Sequence, residues 1–321
     1  MKLAGIRQRY GRELSVAASI VVLGGVLALF SPGYFSVENL TDVALANMPV
    51  LLIALGMNMV ILTGQIDISI GSIFAVCGIV AGVLAKLGLP VAAAGLGALL
   101  AGLAMGAING ALVAYARIPS IVVTLATMVA LRDGLRWATQ GAWVSDLPPG
   151  FQWLGLSQAA YPVLIACTAV FFVAAIGWGL RNLAGGRAVY ATGSHPEAAR
   201  LAGIDTNAVT FGVFAVTGAL TGLAAVLNSV RFNQIPGNAG LGMEMKVIAA
   251  VVVGGTAITG GSGSIAGTVL GVILLGAIGP ALTFLGISAY WERAIQGAII
   301  LAAVVVEAIR ERAERRVAVV V

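Results

Sequence analysis

The sequence predicts an all-α, polytopic membrane protein of about ten transmembrane helices, with Gly-rich breaks and one short cytoplasmic helix. Three observations carry this reading. First, 60% of the 321 residues are hydrophobic and only 10% are charged, whereas soluble domains use roughly 25% charged residues. Its 13 acidic and 18 basic side chains cannot coat the surface of a soluble globule of this size, but lipid can face the excess apolar surface. Second, apolar stretches recur along the whole chain at about the 20 residues that cross a bilayer at roughly 1.5 Å per residue. Third, 43 residues are Gly, which lets neighbouring helices approach closely where no aqueous hydrophobic drive holds them together.

By that length criterion the predicted spans run over residues 14–31, 43–63, 68–86, 91–115, 120–138, 161–180, 209–229, 245–259, 265–285 and 290–308. They form a single transmembrane domain over 1–321, with a polar cytoplasmic segment at about 181–207. Lys and Arg sort the spans across the membrane. With the N-terminus inside, Lys2, Arg7, Arg9, Arg12, Arg117, Arg181, Arg187, Arg200, Arg310, Arg312, Arg315 and Arg316 face the cytoplasm, 12 of the 18 basic residues. Lys86, Arg132, Arg136, Arg231, Lys246 and Arg293 lie at or near the opposite ends. This bias places both termini in the cytoplasm. The net charge of +5 belongs to the same pattern and does not argue for nucleic acid. Lys2 to Arg12 ahead of Leu14 to Phe30 also fits a cleaved signal peptide. The length of the apolar run, and the lack of a small-x-small site at Ser31-Pro32-Gly33, favour an uncleaved first span.

Two segments break the helical pattern. Between spans two and three, Thr63-Gly64-Gln65-Ile66-Asp67-Ile68-Ser69-Ile70-Gly71-Ser72 places an acid, an amide and hydroxyls where a short loop would suffice. Between spans eight and nine, Gly254 to Ser264 holds five glycines and four hydroxyls, and both breaks end in Gly-Ser-Ile. Non-helical backbone at membrane depth persists only where it is buried in protein or lines an aqueous cavity, since each unsatisfied peptide group costs several kcal/mol in lipid. Interrupted segments in corresponding halves point to a transport pathway; two Gly-rich turns outside the bilayer are the plainer alternative. The pathway candidates are Asn58, Asp67, Ser69, Ser72, Thr259 and Ser262. Asn58, like Asn109 and Asn228, lies within a span, where interhelical hydrogen bonding is the commoner use of an amide. Asp67 is the one acid expected at membrane depth, and it fits equally a pathway carboxylate and the N-cap of span three.

The polar segment contains a complete short-helix grammar in Ser194-His195-Pro196-Glu197-Ala198-Ala199-Arg200-Leu201-Ala202-Gly203. Ser194 is the expected N-cap, with Glu197 reaching back in a capping box. Pro196 suits the first turn, and Gly203 the left-handed position after the end. The product is a helix of about two turns, too short to stand alone in water, so it must pack on its own membrane domain or on a partner. Ala198 and Ala199 let a partner approach closely.

Four stretches resemble the membrane subunit of bacterial ABC sugar importers of the ribose type, whose relatives carry ribose, xylose, galactose, rhamnose and autoinducer-2. They are Val60 to Ser72, Ile118-Pro119-Ser120-Ile121-Val122-Val123-Thr124-Leu125-Ala126-Thr127, Gly186-Arg187-Ala188-Val189-Tyr190-Ala191-Thr192-Gly193 with the Glu-Ala-Ala segment after it, and Val253-Gly254-Gly255 through Gly267. They span most of the chain; Gln65 departs from the family's usual second Gly. The resemblance implies a permease subunit in the inner membrane, dimeric with itself or a homologue, served by two ABC ATPases and an external solute-binding protein. It also implies that Ser194 to Gly203 docks into a cleft on the ATPase. The stretch Trp143 to Phe151 looks more like the rhamnose or autoinducer-2 branch than ribose.

Several chemistries lack their parts. No Gly-x-x-x-x-Gly-Lys-Ser/Thr loop is present, so ATP-Mg is expected on partner subunits and no cofactor in this chain. The single histidine, His195, supports neither a hydrolytic triad nor a metal site, and Cys77 and Cys167 sit apart in apolar runs. Glu307 to Arg316 reads as a solvated helix end at an anionic membrane face. The competing reading is an ion- or proton-coupled secondary transporter, which needs more membrane-depth acids than Asp67; a structural scaffold would not need a capped docking helix.

Overall fold

The structure, a computed structural model, describes residues 2–288, 290–299, 301, 302 and 305, with residues 2–12 as backbone alone. In chain order the α-helices are α1 (Lys2–Phe30), α2 (Val37–Leu62), α3 (Ile70–Lys86), α4 (Val91–Ala114), α5 (Ser120–Thr139), α6 (Tyr161–Asn182), α7 (Ala184–Ser194), α8 (Pro196–Leu201), α9 (Thr206–Ser229), α10 (Met243–Val253) and α11 (Ile265–Phe284). Residues 291–299 are also helical. Among the described residues each predicted span overlaps a helix, and the all-α membrane class holds.

The count of about ten spans is not confirmed. Among the described residues, six helices are long and apolar enough to cross a membrane: α1 from Glu13 onward, α2, α4, α6, α9 and α11. α3 is apolar but only 17 residues long, and α5 has the length but carries Arg132, Asp133 and Arg136. The predicted span 245–259 is corrected to an 11-residue half-helix, α10, about 16 Å long. It stops at Gly254, whose backbone is pressed so closely onto Gly267 of α11 that a Cβ at Gly254 would meet the Gly267 carbonyl. The predicted tail helix Glu307 to Arg316, and most of 300–308, lie outside the described residues.

α2 is the central post, buried almost continuously from Met48 to Leu62. It packs against α9, α11, α10 and α6. The closest seam joins α4 and α9, where Gly102, Gly106 and Gly110 face Phe214, Gly218 and Gly222 backbone to backbone. Small residues at such a seam let van der Waals contact substitute for the hydrophobic drive absent in lipid. α9 turns its other side to α2, with Thr217 against Gly56.

The helix ends form two faces. One carries the break after Leu62, the loop before Ser120, α7, α8 and residues 254–264. At the other, Val144 and Ile235 exchange backbone hydrogen bonds of 3.0 and 2.9 Å, Trp153 N–H donates to Val230 at 2.8 Å, and the Ser31 hydroxyl donates to the Phe284 carbonyl at 2.7 Å.

Candidate functional site

Three segments far apart in sequence meet at the first face. The Gly261 N–H donates to the Leu62 carbonyl at 2.9 Å, so the second break is hydrogen-bonded to the end of α2. Gly193, the penultimate residue of α7, lies so close that a Cβ on it would collide with the Leu62 oxygen and stand 2.6 Å from the Gly261 nitrogen. A Cβ on Gly260 would lie 2.8 Å from the Gly64 nitrogen and 3.2 Å from the Gly193 Cα. One residue on, the Ser194 hydroxyl donates to the Gly261 carbonyl at 3.4 Å, and Tyr190 of α7 donates to the Gly263 carbonyl at 3.0 Å. Burial pushes the Tyr190 hydroxyl above its ordinary range, against an opposing pull from Arg181, so it remains a donor at neutral pH. Backbone packed on backbone has no side-chain rotamers to absorb movement, which makes this junction stiff.

The short helix α8 is present with a different start. Ser194 ends α7 instead of capping α8; His195 holds the N-cap position and its side chain makes no cap bond. The predicted capping box is therefore absent, because Ser194 is held by the 254–264 break and Glu197 pairs outward with Arg200 at 3.4 Å. Pro196 opens the helix as expected. Gly203 takes φ +82. The Ile204 N–H reaches the Ala199 carbonyl at 3.0 Å and the Gly203 N–H reaches Arg200 at 2.9 Å. These two bonds form a complete Schellman closure. Ala199 is buried while Glu197, Ala198 and Arg200 are exposed, so α8 presents one face outward and rests on the other. The neighbouring α7 was not foreseen as a helix; its Gly186 lets α7 run hard against Leu180 of α6.

The pathway candidates separate into three places. Asn58 is fully buried and donates to Thr256 at 2.7 Å and Thr268 at 2.8 Å, tying α2 to the second break and α11. Asp67, Ser69 and Asn109 form a chain with Thr127: Thr127 donates to Asn109 at 2.7 Å, Asn109 to Ser69 at 2.8 Å, and the Ser69 hydroxyl to Asp67 Oδ1 at 2.6 Å. Ser72 donates to the Met128 carbonyl at 2.8 Å. Thr259 and Ser262 are exposed at the turn beside α7 and do not join the others.

Asp67 is not the N-cap of α3; Ser69 is. The carboxylate sits two residues earlier and closes the turn by accepting the Ser69 N–H at 2.9 Å. Asp67→Ala is expected to strip acceptors from Ser69 N–H and Oγ and to destabilise the protein by about 1–3 kcal/mol. Asp67→Asn keeps an oxygen in place and is expected to cost less. Thermal unfolding of the purified variants in detergent checks the order, and equal stability of the two removes the turn-closing role.

Asp67 is not the only buried acid. Glu244, placed just outside span eight by sequence, is 7% exposed in the first turn of α10. Its Oε2 lies 3.9 Å from Arg132 Nη2 of α5. Neither atom has a hydrogen-bond partner. Lys246, two residues on, approaches Glu292 to 3.8 Å. Glu244 was missed because a predicted boundary two or three residues off decides whether an acid is read as inside or outside the bilayer.

A profile of the family described as "Branched-chain amino acid transport system / permease component" matches residues 39–304. The Autoinducer 2 import system permease protein of Yersinia pseudotuberculosis is 35% identical over 299 residues, 92% of this chain and 84% of its own length. The proteins of that name from Escherichia coli and Shigella flexneri are 36% identical, covering 92% of this chain and 86% of theirs. No solved structure matches.

Proposed function

Because this chain belongs to the family of branched-chain amino acid transport system permease components, we propose that it is the membrane subunit of an ATP-driven ABC importer for a sugar-like solute of the autoinducer-2, rhamnose or ribose class. The junction of Gly193 with Leu62 and Gly261 carries this reading. A docking helix alone would be a passive anchor; one whose root is packed onto both breaks can move them. In this mechanism two partner ATPases bind ATP-Mg and close, α8 is carried along, and α7 passes the displacement to the ends of α2 and α10. Spans of this chain and of a second permease copy then rearrange to accept solute from an external binding protein. α7, α8 and both termini face the cytoplasm, in keeping with the basic bias, and the whole chain acts as one permease domain.

The solute class follows the relatives, whose names refer to autoinducer 2. The buried polar groups agree with it, since Asn58, Ser69, Ser72 and Asn109 are amides and hydroxyls. Autoinducer-2 uptake by cells expressing the chain with its ATPase and binding protein is the test. Uptake that stops with vanadate and survives an uncoupler is expected; uptake that stops only with the uncoupler would restore the secondary-transporter reading, and uptake of leucine instead would overturn the solute class.

Two variants of α8 sharpen the assignment. Gly203→Val forces a β-branched residue into φ +82, at about 1–2 kcal/mol, and opens the Schellman closure. Glu197→Lys reverses charge on the exposed face and beside the positive helix end. Both are expected to reduce co-purification of the ATPase at least fivefold while the protein still inserts. Wild-type co-purification in both would remove α8 as the coupling element.

A further inference from the structure

Resting on the importer reading above, we infer that Arg132 and Glu244 form the solute-contact point of the pathway, where a hydroxyl of a polyhydroxylated solute inserts between guanidinium and carboxylate. The location comes from the helices. Arg132 lies 12 residues into α5, about 18 Å from the face that carries α7 and α8, so the pair sits near the middle of a hydrocarbon layer of roughly 30 Å. Glu244 opens α10, a half-helix that starts within the fold. Discontinuous helices meeting charged groups near the midplane are how membrane transporters build binding sites.

The cradle is specific. Gly71 of α3 and Gly240 ahead of α10 leave the space that Glu244 occupies: a Cβ on Gly71 would strike the Glu244 carboxylate and lie 3.5 Å from Arg132 Nη2, and one on Gly240 would lie 2.6 Å from the Gly71 carbonyl. Glu244 is nine-tenths buried, yet its Oε2 and Arg132 Nη2 stand 3.9 Å apart with no hydrogen-bond partner for either. Buried polar atoms are rarely left so, and a desolvated ion pair without hydrogen bonds is a costly way to join two helices. A hydroxyl supplies what both lack, since its oxygen accepts a hydrogen bond from Nη2 while its O–H donates one to Oε2. The chemistry selects neutral, hydroxyl-rich solutes over aliphatic ones. Arg132 keeps 30% of its side chain exposed, which leaves the solute an approach.

Uptake of autoinducer-2, L-rhamnose and D-ribose by the assembled importer tests this. Glu244→Gln and Arg132→Gln are each expected to lower uptake of the transported solute at least tenfold, in complexes that still co-purify with the ATPase. The exchanged double variant, Arg132→Glu with Glu244→Arg, rebuilds an ion pair in a place shaped for the opposite polarity and is expected to stay as low. Uptake within twofold of wild type in either single variant, restoration by the exchange, or loss of assembly in the near-isosteric Glu244→Gln would each make the pair structural and overturn the inference. Transport of none of the three solutes by the wild type would instead overturn the importer reading on which it rests.

Discussion

Gly193→Ala is expected to reduce uptake by the assembled importer at least tenfold, while Gly185→Ala, eight residues earlier in the same helix, leaves it at the wild-type level. Both substitutions add one methyl group to α7, and both raise its helix propensity by about 1 kcal/mol. They differ in what the methyl meets. At Gly185 nothing lies within 4 Å, whereas at Gly193 the Leu62 carbonyl and the Gly261 amide occupy the position. These two groups are hydrogen-bonded to each other at 2.9 Å, so the methyl cannot be admitted by turning a side chain. Either α7 moves off the junction or the Gly261 to Leu62 bond breaks. Gly193 is not on the exposed face of α8, so the ATPase is expected to remain attached and the defect to lie in transmission. Uptake measured together with ATPase co-purification separates the cases. Normal uptake in Gly193→Ala would show that the junction yields, and would leave α8 an anchor without a relay.

That junction marks the limit of what sequence patterning reveals. The two Gly-rich breaks and the short helix were each visible locally, because glycine runs and the Pro196 and Gly203 signals are properties of a few adjacent residues. Their meeting was not. Leu62, Gly193 and Gly261 are separated by more than sixty residues at each step, and nothing in an apolar helix end announces which loop will rest on its last carbonyl. The same distinction separates Ser194 as expected from Ser194 as found: its spacing to Glu197 is that of a capping box, but a long-range contact to Gly261 competes for it and wins. The spans themselves were legible because lipid imposes a length and a hydropathy on each helix independently. α10 escaped because its sequence stays apolar through Gly254 and Gly255, and only packing on α11 stops it. Arg132 and Glu244 escaped because a charge near a predicted helix end reads as interfacial until the true depth of that end is known.

The largest loss of stability is expected from Gly218→Val on α9. A Cβ at this position would run into the Gly102 carbonyl and lie 2.9 Å from the Gly106 Cα, and the reciprocal clashes occur from Gly102 and Gly106 onto Gly218 and Phe214. Overpacking a core that can relax costs about 1–3 kcal/mol. Here the obstacles are backbone atoms of a second helix, so relief requires α4 and α9 to part along their length, and a penalty above about 3 kcal/mol is expected. The consequence spreads because α9 also holds α2 through Thr217 and Gly56, and α2 carries Asn58 and the Leu62 end of the junction. Gly212→Ala, on the same helix where nothing lies within 4 Å, is expected to change stability by less than about 1 kcal/mol, in the stabilising direction that helix propensity gives. Fluorescence-detected size exclusion of the two variants in detergent, with thermal unfolding where a monodisperse peak survives, reads the difference. A monodisperse Gly218→Val protein unfolding within a few degrees of wild type would mean that the α4 and α9 backbones are not in contact at Gly102 and Gly106, and the central packing described for this fold would have to be withdrawn.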